Sequence, residues 1–235
     1  MEQYYRIAGL TVKMDSFGRT VEQAVPYLSA PADHVDVQIT TDWKRLKADQ
    51  PHLSDEDCEY LCTGGSFYSQ LLDYCGLLIH SSAVVVDGWA YLFSAPCGTG
   101  KSTHTGLWLK TFGDRAHMLN DDKPALRLED GVWYAYGTPW SGKYDISANE
   151  RVPVAGIAMV ERSESNWIEP FGGASAVFAL LEQTARPADG GLRGKLLENL
   201  DKLLTRVPVW KLHCNMDPEA ATVSYHAMFG NKQKI

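Results

Sequence analysis

Runs in which apolar and polar residues alternate recur along this chain, and they predict short strands. Residues 4–13 set Tyr5, Ile7, Leu10 and Val12 in such a run, a strand or a hairpin, and residues 35–40 repeat it with Val35, Val37 and Ile39. Residues 77–86 predict a buried strand. Asp87-Gly88 then turns the chain into a second apolar run at 89–93. Further strands are predicted at 117–119, 124–128, 132–136, 154–160 and 208–213, with a hairpin around Glu129-Asp130-Gly131. Helical signals are fewer. Ser54 followed by Asp55, Glu56 and Asp57 is a helix start with acid in its first turn. A second, mostly apolar helix is predicted over about 66–75, and others over 103–111, 174–183 and 192–205. Residues 186–191, polar and Gly-rich, form a connector.

Strands outnumber helices, so the expected fold is α/β with α+β character: a mixed, largely antiparallel sheet with flanking helices. Residues 1–75 are expected to supply N-terminal strands and helices that pack on a core of residues 76–235, the whole forming one compact unit.

One segment changes the picture from fold to chemistry. The run Ser94-Ala95-Pro96-Cys97-Gly98-Thr99-Gly100-Lys101-Ser102-Thr103 follows a predicted strand and precedes a predicted helix. Strand, Gly-containing loop closed by Gly-Lys-Ser, then helix is the P-loop arrangement for holding a nucleotide triphosphate. Gly98 and Gly100 let the backbone curl so that the N–H groups of Cys97, Gly98, Thr99, Gly100, Lys101, Ser102 and Thr103 face phosphate oxygens. The helix adds the positive end of its dipole. Lys101 reaches the β- and γ-phosphates, and the Ser102 hydroxyl is a ligand for Mg²⁺. Ala95 stands where the consensus has Gly, which a residue with negative φ tolerates.

Composition excludes some classes. A net charge of −7 gives no overall footprint for nucleic acid, although a local anion site needs only a few N–H groups and a cation. No apolar run approaches a membrane span, and Met1 to Arg6 lacks a signal-peptide layout. With five cysteines, an odd number, reduced thiols and a cytoplasmic location are expected. Cys58 and Cys62 share a helix spacing and read as buried thiols rather than a metal site, and Cys97 reads as a filler of the loop.

Asp121-Asp122, at the end of a short predicted strand some twenty residues after the loop, supplies the second half of a site. One carboxylate with Ser102 and phosphate oxygens makes a shell for Mg²⁺, and an adjacent carboxylate accepts a proton from an attacking hydroxyl. His80 sits on the strand that pairs with the one feeding the loop, placed to orient a carboxylate or sense the γ-phosphate. In Gly137-Thr138-Pro139-Trp140-Ser141-Gly142-Lys143, Gly142 permits close backbone approach and Lys143 is a candidate for meeting a substrate phosphate.

These residues carry a resemblance. Leu78-Ile79-His80-Ser81-Ser82-Ala83-Val84-Val85-Val86-Asp87-Gly88, the loop at 95–103, and Leu119-Asn120-Asp121-Asp122 resemble the catalytic domain of the HPr kinase/phosphorylase family, which is similar to phosphoenolpyruvate carboxykinase in how it builds its nucleotide site. The shared pattern is a His opening a strand hairpin, a P-loop, then paired aspartates, over roughly residues 77–128. The resemblance implies His80 in the catalytic centre, Lys101 and Ser102 on phosphates and Mg²⁺, and Asp121 and Asp122 as base and metal ligand. Either order is open; Asp121 is taken as the base and Asp122 as the metal ligand. The implied activity is Mg²⁺- and ATP-dependent phosphoryl transfer to a peptide, protein or small hydroxylated molecule. The Glu-Ile-Arg-Gly-type signature of the bifunctional enzymes has no close counterpart, Asn149-Glu150-Arg151-Val152 being nearest, and the oxaloacetate-binding arginines of the carboxykinases have no place. Carboxykinase-like chemistry and a nucleotide-responsive binding protein without catalysis are the alternatives. The oligomeric state, a homo-oligomer included, is open.

Overall fold

The computed structural model describes residues 3–142 and 144–230. The N-terminal part contains β1 (Gln3–Ile7), β2 (Leu10–Met14), α1 (Gly18–Ala24), β3 (Leu28–Ser29), β4 (Val37–Ile39), α2 (Trp43–Asp49) and α3 (Asp55–Leu71). Then follow β5 (Gly76–Leu78), β6 (Ser81–Val86), β7 (Trp89–Ser94), α4 (Lys101–Phe112), β8 (Ala116–Asn120), β9 (Ala125–Glu129) and β10 (Val132–Tyr136). The chain ends through β11 (Arg151–Arg162), β12 (Trp167–Pro170), α5 (Gly173–Glu182), α6 (Gly190–Leu204), β13 (Val209–Cys214) and α7 (Glu219–Phe229).

Two mixed sheets result. The smaller runs β3-β1-β2-β4; the larger, nine-stranded, follows β5-β9-β10-β11-β7-β6-β8, with β13 on β11 and β12 on β13. The long β11 bends the larger sheet. Its first residues pair antiparallel with β10, and the rest runs parallel to β7 on one side and β13 on the other. Three hairpins use the same turn chemistry. Ala8-Gly9, Asp87-Gly88 and Asp130-Gly131 all have positive φ at both central residues, the conformation whose twist matches antiparallel strands.

The centre of the large sheet is covered on both faces. Ala83 and Val85 of β6 and Leu92 of β7 face α5 and α6, where Leu180 and Leu200 meet them. Val84 and Val86, with Tyr91 and Phe93, face α4 and α7 and pack on Trp108 and Met228. Two-sided burial explains why 81–86 carries Val on successive positions instead of alternating. A third cluster joins the small sheet to α3 and to Leu78, Ala125, Tyr136 and Trp140 of the large sheet's region. No helix among the described residues is long and apolar enough to cross a membrane. The five cysteines are free thiols.

The structure corrects two boundaries. The helix starting at Ser54 and the one expected at 66–75 are a single helix, capped by the Ser54 hydroxyl accepting from the Asp57 amide. Gly64-Gly65 does not interrupt it, because Gly64 lies under Trp140, whose Cδ1 would stand 3.0 Å from a Cβ there. The strand expected at 77–86 is two strands. β5 pairs with β9 and β6 with β7 and β8, and the break falls at Ile79-His80. Helices α1, α2 and α7 and strand β12 had no clear pattern in the sequence.

One buried acid sets a pH dependence of stability. Glu59 on α3 is 1% exposed; Thr20 donates to its Oε2, while Oε1 has no hydrogen-bond partner among the described residues. Burial pushes its pKa up to about 7, against partial opposition from Thr20, Phe17 and Arg19. The folded state therefore holds this proton more tightly than the unfolded chain does. Its stabilising contribution is full below about pH 4.5 and is lost as pH rises toward 7, a change of roughly 3 kcal/mol. Glu59→Gln should flatten this slope and unfold no more easily than wild type at pH 8. Urea unfolding of both proteins at pH 5 and pH 8 checks it; parallel pH profiles would refute it.

Candidate active site

Strand β6 runs antiparallel to both of its neighbours, so its first residue lies beside the last residues of β7 and β8. Ser81 pairs with Ser94, and Ala83 with Asn120. Three turns of chain therefore meet at one end of the sheet: His80 before β6, residues 95–100 after β7, and Asp121-Asp122 after β8. The Ser94 hydroxyl donates to the His80 carbonyl (2.8 Å) and the Ser81 amide to the Asp122 carbonyl (3.1 Å), which holds the three together.

The loop after β7 curls back at once. The Thr99 amide bonds to the Pro96 carbonyl, and Gly98 (φ 78°) and Gly100 (φ 125°) take backbone conformations that side chains disfavour. A Cβ on either would meet no atom within 4 Å, so both glycines border open space. Helix α4 begins directly at Lys101 with no side-chain cap, leaving its first amides for another acceptor. Lys101 itself is buried. Its ammonium donates to the Ala95 carbonyl at 2.9 Å, and burial lowers its pKa against the pull of Asp122 and Asp121. Arg162, at the end of β11, donates to the Gly98 carbonyl (2.6 Å) and the Thr99 carbonyl (2.9 Å) and ties the loop from behind.

The aspartates are displayed by Asn120. Its Oδ1 accepts from the Asp122 and Lys123 amides and its Nδ2 donates to the Thr138 carbonyl, a side chain standing in for backbone at a turn. Asp121 is nearly buried and accepts from the Ser82 hydroxyl at 2.9 Å, which in turn contacts the Thr105 hydroxyl at 3.0 Å. Asp122 lies 3.0 Å from His80 Nε2 and pairs with Lys123. Burial works to raise the Asp122 pKa, but the His80 bond and the Lys123 ammonium outweigh it and hold the carboxyl at about 2. Asp122 is thus ionised at any working pH. His80 Nδ1 faces Gln183 Oε1 at 3.2 Å, and the His80 amide donates to the Gln183 carbonyl, so the end of α5 orients the imidazole.

Gly142 closes the site from the side. Its φ of 77° suits glycine, and a Cβ would stand 3.1 Å from that of Asp122. Its amide donates to the Tyr60 hydroxyl (3.0 Å), and its carbonyl accepts from Gln23 Nε2 (2.9 Å). The N-terminal helices α1 and α3 thereby support the wall of a site otherwise built by the large sheet.

His80, Cys97, Gly98, Gly100, Lys101, Ser102, Thr103, Asp121, Asp122 and Gly142 line one cavity of about 450 Å³, with Tyr144 at its edge. Of the residues expected in the loop, Thr99 is the one that does not line this cavity, and it borders two neighbouring cavities. Lys143 lies outside the described residues. Ser82, Lys123, Arg162 and Gln183 were not singled out in the sequence. Lys123 adjoins the aspartates, whereas Gln183 lies 103 residues from His80 and left no local signal. Among the described residues no group of three or more His, Cys, Asp or Glu side chains is placed to hold a metal. Ser102 and Asp122 are hard oxygen donors of the kind Mg²⁺ takes alongside phosphate oxygens and water.

No family model matches this chain, and no curated protein matches it. Among solved structures, the HPr(Ser) kinase/phosphatase from Coxiella burnetii aligns with 65% of this chain and 97% of its own, at 12% sequence identity and a TM-score of 0.36. The similarity is distant.

The electrostatics of the Asp122 carboxyl are open to direct test. Lys123→Ala should raise its pKa from about 2 toward the ordinary aspartate value, read from the carboxyl carbon shift in an NMR titration. An unchanged titration would mean that Lys123 does not act on this carboxyl.

Proposed function

We propose that this protein is a Mg²⁺- and ATP-dependent phosphotransferase that moves the γ-phosphoryl group of ATP to a hydroxyl of a peptide, protein or small molecule. The observation that carries this reading is the convergence of the 97–103 loop, His80 and both aspartates on one cavity. Any one of them alone is an ordinary turn or cap. Together they offer what phosphoryl transfer needs, which is positioning and charge rather than covalent chemistry.

In this reading the amides of residues 97–103 and the start of α4 bind the phosphate chain. Lys101 exchanges its bond with the Ala95 carbonyl for phosphate oxygens, which relieves the burial of its charge. Ser102 and Asp122 would hold Mg²⁺, which would supply neutralisation of phosphate charge. Asp122 is suited to that role and unsuited to proton abstraction, because a carboxyl with a pKa of about 2 is a weak base. Asp121, held by Ser82 through one oxygen, is left to take the proton of the acceptor hydroxyl. The hydroxyl oxygen then bonds to the γ-phosphorus as the bond from that phosphorus to the β,γ-bridging oxygen breaks. ADP and the phosphorylated acceptor leave.

Calorimetric titration of ATP with Mg²⁺ should give binding to wild type that is lost in Lys101→Ala. Absence of binding to wild type at millimolar nucleotide would end the kinase reading. Asp121→Asn should keep ATP while transfer from labelled ATP to hydroxylated acceptors falls at least about 100-fold. If the wild type binds ATP and transfers to none of a broad panel of peptide and small-molecule acceptors, the reading of a nucleotide-responsive binding protein takes its place.

A further inference from the structure

A separate cavity of about 400 Å³ lies in the N-terminal part and shares no lining residue with the cavity of the loop and aspartates. It is walled by the segment joining β2 to α1, by the end of β4 and the two threonines after it, by Trp43 at the start of α2 and by Glu59 on α3. Its lining carries two carboxylates, Asp15 and Glu59, and no cationic side chain. Phe17 and Trp43 meet edge to face beside them, with ring centroids 5.2 Å apart. Lys44 stands 5.7 Å over the Trp43 ring, so that ring already attracts one cation.

Glu59 is the group that the fold leaves incomplete. It is 1% exposed, and its Oε2 accepts from the Thr20 hydroxyl. The Phe17 amide and the charge of Arg19 also favour its ionised form, and the charge of Asp15 opposes it. Arg19 is engaged elsewhere as well: it pairs with Asp57 at 3.2 Å and lies on the Tyr60 ring, 3.9 Å from the centroid. Glu59 Oε1 has no hydrogen-bond partner among the described residues. A buried carboxylate with one oxygen unmatched is costly, and burial holds this one at a pKa of about 7. Near pH 7 the group is divided between its two forms, and a cation donating to Oε1 would draw it to the ionised one.

We propose that this cavity binds a primary ammonium group on an aliphatic stem, carried by a lysine side chain or a free alkylamine, with the ammonium donating to Glu59 Oε1. The proposal stands independently of the nucleotide reading. A single open oxygen favours ammonium over guanidinium, whose planar fork is matched by both oxygens of a carboxylate. Ser16, beside the Tyr5 hydroxyl, and Thr40 and Thr41 offer hydroxyl oxygens to the other N–H groups of the ammonium. Ile39, Phe17 and Trp43 give the stem apolar contact. A divalent metal ion takes more hard oxygen ligands than two carboxylates supply, and no third His, Cys, Asp or Glu joins them among the described residues.

An NMR titration that follows the Phe17 and Trp43 signals tests this with four probes: pentylamine, pentanol, Nα-acetyl-lysine methylamide and Nα-acetyl-arginine methylamide. At pH 8 an amine should bind about tenfold or more tightly than its control, pentanol for the first and the arginine derivative for the second, the worth of one charge-assisted hydrogen bond. Glu59 takes up its proton near pH 7, whereas an alkylammonium stays charged well above pH 8. Affinity should therefore rise about tenfold from pH 6 to pH 8. Glu59→Gln should abolish that rise and lower the affinity at pH 8 by about tenfold. The pH dependence of the wild type needs no variant, so it decides the matter even if Glu59→Gln fails to fold. Tighter binding of pentylamine assigns the site to free amines, and tighter binding of the lysine derivative assigns it to peptides. Should neither amine exceed its control, or should affinity not change with pH, the proposal is overturned. If neither amine moves these signals at tens of millimolar, the cavity takes water alone and the proposal fails.

Discussion

Strand β6 enters the sheet at the point where β7 and β8 leave it, and the tight Asp87-Gly88 turn fixes that register. A two-residue hairpin allows no slack: shifting the pairing by one residue would turn Val84 and Val86 toward α5 and Ala83 and Val85 toward α4. Both faces are packed, so neither exchange is tolerated. Core packing along β6 thereby determines where His80, the loop and the aspartates stand relative to one another. The site inherits its geometry from hydrophobic burial several residues away.

The polar layer built on that frame has a division of labour. Asp122 is surrounded by cations and donors, His80 and Lys123, and stays charged. The Asp121 carboxylate accepts from the Ser82 hydroxyl, with that of Thr105 behind it, and acts through its charge on Lys101. Two adjacent carboxylates in different surroundings are a common way for one site to hold a cation and accept a proton. Lys101 is poised differently again. Its buried ammonium has a single neutral carbonyl as hydrogen-bond partner, a costly placement that an anionic ligand would relieve.

The N-terminal region contributes to this end of the molecule through contact rather than through chemistry of its own. Tyr60 and Gln23 grip the backbone of Gly142, and Trp140 stacks on Phe67 over Gly64. The loop that walls the site is thus held by helices α1 and α3. Arg162 does the corresponding work on the opposite side, binding the carbonyls of Gly98 and Thr99.

The sequence by itself determined the elements that rest on local chemistry. The Asp87-Gly88 and Asp130-Gly131 hairpins, the helix after Gly100, the Ser54 cap and the glycine loop are all signalled within a few residues. Tertiary structure decided what depends on distant partners. The helix start at Ser54 and the helix expected over 66–75 are one helix, in which Gly64 leaves room for Trp140, far along the chain. The apolar stretch at 77–86 looked continuous and is split, because its halves pair with different strands and Gln183 captures His80 at the junction. Gln183 and Arg162 carry no mark in the sequence, since a Gln at a helix end and an Arg at a strand end are ordinary until folding brings a histidine or a loop carbonyl against them.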